Sequence, residues 1–138
     1  MQIARVVLGE PKAQPRHRHF QRGNFVTTYD PAAKLTESFA GILQAEAPIE
    51  PISTPMILEL TFYMARPNSH YGSGKKAEFL KESAPEYHSG RPDLDNLTKF
   101  VQDALNKIYY RDDALICQLI AKKVYSERPR TEIILTTL

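Results

Sequence analysis

"TPMILELTFYMAR" (residues 54–66) alternates without a fault: Met56, Leu58, Leu60, Phe62 and Met64 point one way, Glu59 and Thr61 the other. Period-two alternation marks a strand with one face buried and one face wet. A sheet built on such a strand needs an apolar cover on one side only. The flanking sequence offers two helices for it. Upstream, "DPAAKLTESFAGILQAEAP" (30–48) places Asp30 as N-cap, Pro31 at the first helical position and Pro48 as the stop. Leu35, Phe39, Ile42 and Leu43 form its apolar stripe. Downstream, a second helix is expected from about Asn96 to Ile108, with Leu97, Val101, Ala104, Leu105 and Ile108 facing the core.

Further out, residues 2–9 and "NFVTTY" (24–29) read as strands. The proline-rich, basic "EPKAQPRHRHFQRG" (10–23) between them reads as a loop or an irregular hairpin. "ALICQLIA" (114–121) is an apolar run of strand length, "SERPR" (126–130) a turn and "RTEIILTTL" (130–138) a closing strand. Cys117 lies inside the apolar run, which predicts core packing without a redox role. The order ββ-α-β-α-ββ predicts an α+β fold, a mixed or antiparallel sheet with two main helices packed on one face.

Between Pro67 and Pro92 the periodicity fails. "PNSHYGSGKKAEFLKESAPEYHSGRP" suggests a long basic loop inserted in a single domain spanning 1–138, with at most a short helix around Lys75–Lys81. Arg66, Lys75, Lys76, Lys81 and Arg91 give it cations, Tyr71 and Tyr87 stacking surfaces. A plain surface insertion is the bland reading.

A chain of 138 residues suits one domain that buries roughly two thirds of its unfolded surface. Hydrophobic content of 42% points neither to disorder nor to a membrane protein, and no apolar run is long enough to span a bilayer. Arg5 interrupts the apolar N-terminus, against a signal peptide, and a single cysteine rules out an internal disulfide. A cytoplasmic protein is expected. The formal net charge of +2 hides an uneven distribution. Lys12, Arg16, Arg18 and Arg22, with His17 and His19, form a basic stretch without an acid, whereas residues 30–60 carry Asp30, Glu37, Glu46, Glu50 and Glu59 against Lys34 alone. Such a patch suits a polyanion, or is merely a solvated loop.

The sharpest chemistry lies in "GRPDLDNLTKF" (90–100) and "YYRDDALIC" (109–117). Pro92 holds the chain extended, so Asp93 and Asp95 can aim at one point. One acid before a helix is ordinarily a cap, and Asp95 or Asn96 would serve. Two acids repel unless a cation offsets them. If the strand after Asp112 and Asp113 begins beside the start of the helix, one of that pair can join Asp93 and Asp95. Three carboxylates with open positions would form a hard oxygen site for Mg²⁺ or Mn²⁺. Lys99, one turn past Asp95, could serve a phosphate oxygen, or simply pair with Asp103 at the surface. No phosphate-binding glycine loop is present, and "HRH" among arginines is a poor metal site.

"RPDLDNLTKFVQDALN", "YYRDDALI" and "SERPRTEI", with the opening "GEPKAQPRHRHFQRGNFV", resemble the RusA family of Holliday-junction resolvases. The resemblance spans most of the chain and is weakest in the 67–90 insertion. It implies a small homodimeric, magnesium-dependent endonuclease that cuts four-way and other branched DNA in recombination and repair, in a bacterium or phage. Carried over by position, the resemblance implies that Asp93, Asp95 and Asp113 are the metal-binding catalytic acids, Lys99 the essential basic residue and Asp112 the less critical acid of its pair. Lys12, Arg16, Arg18, Arg22, Lys75, Lys76 and Arg91 are then the DNA-contacting cations. The apolar 114–121 strand would lie buried in the sheet or at the dimer interface. Leu115, Gln118 and Lys107 depart from the family, the last replacing a common glycine. Two rivals remain: a non-catalytic nucleic-acid-binding module whose acids only cap helices, and a metal nuclease acting on other branched DNA or on RNA.

Overall fold

The computed structural model describes residues 1–14, 18–22, 25–29 and 33–138. The alternating stretch becomes β4 (Met56–Ala65), at the heart of a four-stranded mixed sheet. On one side it pairs antiparallel with β6 (Arg130–Thr137), which in turn pairs antiparallel with β1 (Gln2–Leu8). On the other side it pairs parallel with β5 (Ile116–Ser126), the edge strand. The hairpin of β2 (Arg18–Arg22) and β3 (Phe25–Tyr29) forms a separate two-stranded sheet. The basic segment thus contributes a regular strand where a loop or irregular hairpin was expected. Helix α1 spans Ala33–Gln44 and α2 spans Leu94–Leu105. The proposed cap Asp30 and first-turn Pro31 lie outside the described residues, as do Arg16 and His17.

The alternation decides where the core sits. Met56, Leu58, Leu60, Phe62 and Met64 are all buried to within 2% of completely. They meet Ile133, Leu135, Ile3 and Val7 from the neighbouring strands and Phe39, Leu43, Leu97, Phe100, Val101, Ala104 and Leu105 from the helices. Each such side chain contributes roughly 1.5–3 kcal/mol by leaving water. Phe39 and Phe100 lock α1 onto α2 edge to face, with ring centres 5.3 Å apart. On the opposite sheet face the side chains are only half covered, and the Arg130 guanidinium lies 3.7 Å above the Tyr63 ring.

Three expectations need correction. Ile42 is exposed, so the working stripe of α1 narrows to Phe39 and Leu43 among the described side chains. Helix α2 starts two residues before Asn96 and stops at Leu105, three before Ile108. Its C-cap Asn106 is already extended, and Lys107 follows at φ 69°. That left-handed backbone costs a residue with a Cβ about 1–2 kcal/mol and explains why glycine suits the position. Lys107→Gly is therefore expected to stabilise the fold by about 0.5–1 kcal/mol, read as a rise in melting temperature. The bond from Lys107 Nζ to the Arg111 carbonyl (2.9 Å) is exposed and offsets little of that gain.

The third correction concerns the 114–121 run. It opens as a 3-10 turn (Asp113–Leu115), becomes β5 only at Ile116, and continues to Ser126. Its position at the sheet edge leaves Cys117, Gln118, Leu119 and Ile120 exposed. Cys117 is thus not a core residue, because an edge strand carries only a partial cover.

The parallel pair β4 and β5 fixes the course of α2. A chain leaving the end of β4 must return to the start of β5, so α2 runs antiparallel to both. Lys123, late in β5, donates to the carbonyls of Gly90 (2.7 Å) and Pro92 (2.9 Å) at the head of α2. At the tail, the Ile52 amide, just ahead of β4, donates to the Tyr109 carbonyl (2.8 Å). Tyr109, fully buried, donates its hydroxyl to the Leu43 carbonyl (2.7 Å) and ties that end to α1. Among the described residues no helix is long and apolar enough to cross a membrane.

Candidate active site

The long connection from β4 to α2 contains two 3-10 turns, Asn68–His70 and Gly74–Lys76, and no α-helix at 75–81. It is tied down at both ends. Tyr71 bridges to Leu80, while Tyr87 bridges to Val124 on the edge of β5. Around Tyr125 gather the Arg66 guanidinium (5.3 Å from the ring centre), His70 (4.7 Å) and His88 (5.0 Å). Arg66 also donates to the Pro85 carbonyl (2.7 Å). Burial, and after it the nearby Lys123, lowers the pKa of His88, so its ring is held neutral. Lys75 and Lys76 stand exposed on the second turn, and Arg91 is exposed two residues before Asp93.

Asp93 is the N-cap of α2 in extended conformation (φ −70°, ψ 147°), yet its carboxylate makes no capping hydrogen bond. Its carbonyl accepts the first helical bond, from Leu97 (3.1 Å). Asp95 sits in the first turn, where the helix dipole favours an anion. Both carboxylates are exposed, as is Lys99 on the i,i+4 row from Asp95. The inward positions beside them, Leu97, Thr98 and Phe100, are buried. A packed helix therefore carries an exposed acid and an exposed ammonium on one row, with a second exposed acid at its cap.

A further acid stands at this end of the sheet. Glu10, which its lone position in a proline-rich segment gave no reason to single out, accepts from the amide of Ala65 at the end of β4 (3.3 Å). Four residues on, the Gln14 amide donates to the Asn96 carbonyl (3.1 Å). The N-terminal segment thus crosses from the end of β4 to the first turn of α2 and carries exposed Lys12 between those anchors. Arg18 and Arg22 lie on β2.

Asp112 and Asp113 lie at the opposite end. Asp112 caps the 3-10 turn, accepting from the Ala114 amide (2.9 Å), and that bond first, then one with Asp113, lowers its pKa. Tyr110 lies beside Asp113 and Asp103, and burial reinforced by those two charges raises its pKa. It is anchored on Gln102 near the tail of α2. Asp113 therefore belongs with the end of α2, and Asp93 and Asp95 with its start, a helix of roughly 18 Å between them. The condition for three acids to meet, that β5 begin beside the head of α2, is not fulfilled within one chain. Among the described residues no three His, Cys, Asp or Glu side chains are grouped so as to hold a metal ion. The described residues of the chain do not fit a three-carboxylate metal site.

The family model "Endodeoxyribonuclease RusA" matches residues 9–136. The chain is 35% identical over 131 residues to a protein of Bacillus subtilis (strain 168), "Uncharacterized protein YqaN", covering 94% of this chain and 92% of that one. It is 50% identical over 52 residues to the "Crossover junction endodeoxyribonuclease rusA" of Lactococcus phage r1t, covering 37% of this chain and 40% of the phage protein.

Proposed function

Because the chain belongs to the RusA family of endodeoxyribonucleases, we propose that it resolves four-way DNA junctions. It does so by paired, metal-dependent phosphodiester hydrolysis in recombination and repair. The whole chain acts as one catalytic domain and pairs as a homodimer, since symmetric resolution needs two cuts on opposed strands. Mg²⁺, or Mn²⁺ in its place, is the cofactor, because carboxylate oxygens suit such hard ions. Asp93, Asp95 and Asp113 are its acids.

The observation that carries this reading is Asp93. An acid kept only to cap a helix spends its side chain on the first-turn amides. This one occupies the cap position and leaves its carboxylate exposed and without a cap bond, two residues before Asp95, which itself stands one turn from Lys99. Asp112, at the far end of the domain, shows how a structural acid behaves, for it does cap its 3-10 turn. A binding module would not need the first arrangement.

The residues' own work is positional and electrostatic. The exposed ammonium of Lys99 offsets negative charge that grows on the phosphoryl oxygens as water attacks the backbone phosphate. Lys12, Lys75, Lys76 and Arg91, with Arg16, Arg18 and Arg22 of the N-terminal segment, hold the flanking phosphates. Such contacts position DNA without reading its sequence, which suits an enzyme selecting a branched shape.

The test is direct. The wild-type protein is incubated with a synthetic four-way junction or with linear duplex, in Mg²⁺ or in EDTA. Cutting of the junction alone, and only with Mg²⁺, is expected. Tight junction binding with no cutting in any divalent metal would sink the reading in favour of a binding module.

A further inference from the structure

The chain enters α2 through Ser89–Pro92, which belongs to no helix or strand, and the Asp93 side chain makes no cap bond that would steady it. We infer that Lys123 is a positioning residue for Asp93, its ammonium holding the chain just ahead of that acid in the place that cutting requires. The inference rests on the proposed nuclease reading and adds to it a residue of β5 that touches neither the acids nor the DNA.

The half-buried Lys123 side chain bonds two carbonyls at once, those of Gly90 (2.7 Å) and Pro92 (2.9 Å). Bonds from an ammonium at this length are the strong, charge-assisted kind. Together they bracket Arg91 and end one residue before Asp93. Pro92 has no amide hydrogen, so its carbonyl is the one backbone group by which it can be hydrogen-bonded. Gly90 is exposed and has the widest backbone freedom of any residue type. Without the ammonium it is the natural pivot for the chain leading into Asp93.

The post that carries this ammonium is itself held on both sides. Lys123 pairs with Phe62 of β4, whose ring is fully buried. On the outer edge its carbonyl accepts from the His88 amide (3.2 Å), and the Tyr125 amide donates to the Glu86 carbonyl (2.9 Å). Strand alternation puts Lys123 on the same face as Leu119 and Ala121, which line a cleft with Leu94, Asp95 and Thr98 of α2. That row ends in the ammonium at the head of the helix. Lys122 points the other way, to the open sheet face with Glu59 and Thr61, and is exposed. A lysine kept for DNA phosphates leaves its ammonium to solvent, as Lys122 does, whereas Lys123 commits two of its three donors to the backbone. A guanidinium, planar and fork-shaped, does not reproduce that point contact.

The experiment uses Lys123→Cys in a Cys117→Ser background, since Cys117 is free and exposed. The protein is compared before and after alkylation with 2-bromoethylamine, which rebuilds an ammonium on a thioether of nearly lysine length. Below the melting temperature, single-turnover junction cutting falls by at least about tenfold before alkylation, because a misplacement of about 1 Å costs up to about a hundredfold. Alkylation restores most of the rate. Junction affinity in EDTA stays unchanged throughout, and amide hydrogen exchange quickens across the head of α2 and slows again after alkylation. Lys122→Met cuts at the wild-type rate. Lys123→Met, which fills the space of the stem without the charge, stands in should the shorter side chain unfold the protein. Undiminished cutting by the folded variant, a loss that alkylation does not repair, or exchange that quickens evenly over the whole chain would each overturn the inference. Affinity that falls in step with cutting would overturn it too and make Lys123 a phosphate contact. If the wild type cuts no junction, the nuclease reading fails, and exchange at the head of α2, with its recovery on alkylation, still decides whether Lys123 holds that end.

Discussion

Asp95→Asn abolishes junction cutting, by more than about a hundredfold, while leaving the fold and junction binding in place. Altering groups that merely orient a metal ligand costs 10–100-fold in affinity or activity, so loss of a ligand exceeds about that range. The change is nearly isosteric and the side chain is exposed, so no packing is lost. Removing one carboxylate from the head of α2 forfeits a small favourable interaction with the helix dipole, about 0.3–1 kcal/mol. It also removes a negative charge from the surface proposed to hold phosphates, so junction binding is expected to hold or tighten slightly. Cleavage in single turnover, thermal melting and junction binding in EDTA separate these effects. An Asp95→Asn protein that melts several degrees lower and cuts at the wild-type rate would reduce this acid to a helix-stabilising charge.

The largest structural effect is expected at Phe100. Its ring is fully buried and stands edge-on to Phe39, the contact that clamps the two helices together. Phe100→Ala removes the ring and leaves a cavity between α1, α2 and the sheet, at a cost of about 3–5 kcal/mol. Domains of this kind have only about 5–15 kcal/mol in hand, so the midpoint of urea unfolding falls steeply. Because α2 carries Asp93, Asp95 and Lys99, cutting should fall with the folded fraction and no faster. A disproportionate loss of activity at a temperature where the variant is still folded would mean that the Phe39–Phe100 clamp also sets the geometry of the acids.

Much of the fold was legible because its signals are local. The faultless alternation of residues 56–64 is a direct print of one-sided burial, and the central strand lies where that print places it. Helix α2 was visible from Leu97, Val101, Ala104 and Leu105, although its ends were misjudged. Pro92 and Asp93 begin it earlier than Asn96, and nothing in the apolar spacing of Ile108 warns that Lys107 has already turned left-handed. Cys117 and its neighbours illustrate the complementary weakness. An unbroken apolar run reads alike whether it will be covered by its own chain or by another. Only the strand order shows β5 to be an edge.

The site was half legible for a related reason. Asp95 and Lys99 share one i,i+4 row of α2, and Asp93 is the cap of the same helix. Whether Asp113 joins them depends on the direction of β5 relative to α2. That is a property of the crossover, which only the parallel pairing of β4 and β5 fixes. Glu10 reaches the same end of the sheet through a backbone amide of β4 and had no motif to announce it.

The most direct test of junction resolution is the fate of the cut ends. A four-way junction labelled on each strand in turn is digested in Mg²⁺, the nicks are mapped, and the products are treated with DNA ligase. Nicks at symmetric positions on two opposed strands, sealed by ligase into linear duplexes, are the predicted result. Asymmetric cuts that leave flaps or gaps resistant to ligation would contradict it and make the protein a nuclease of other branched DNA.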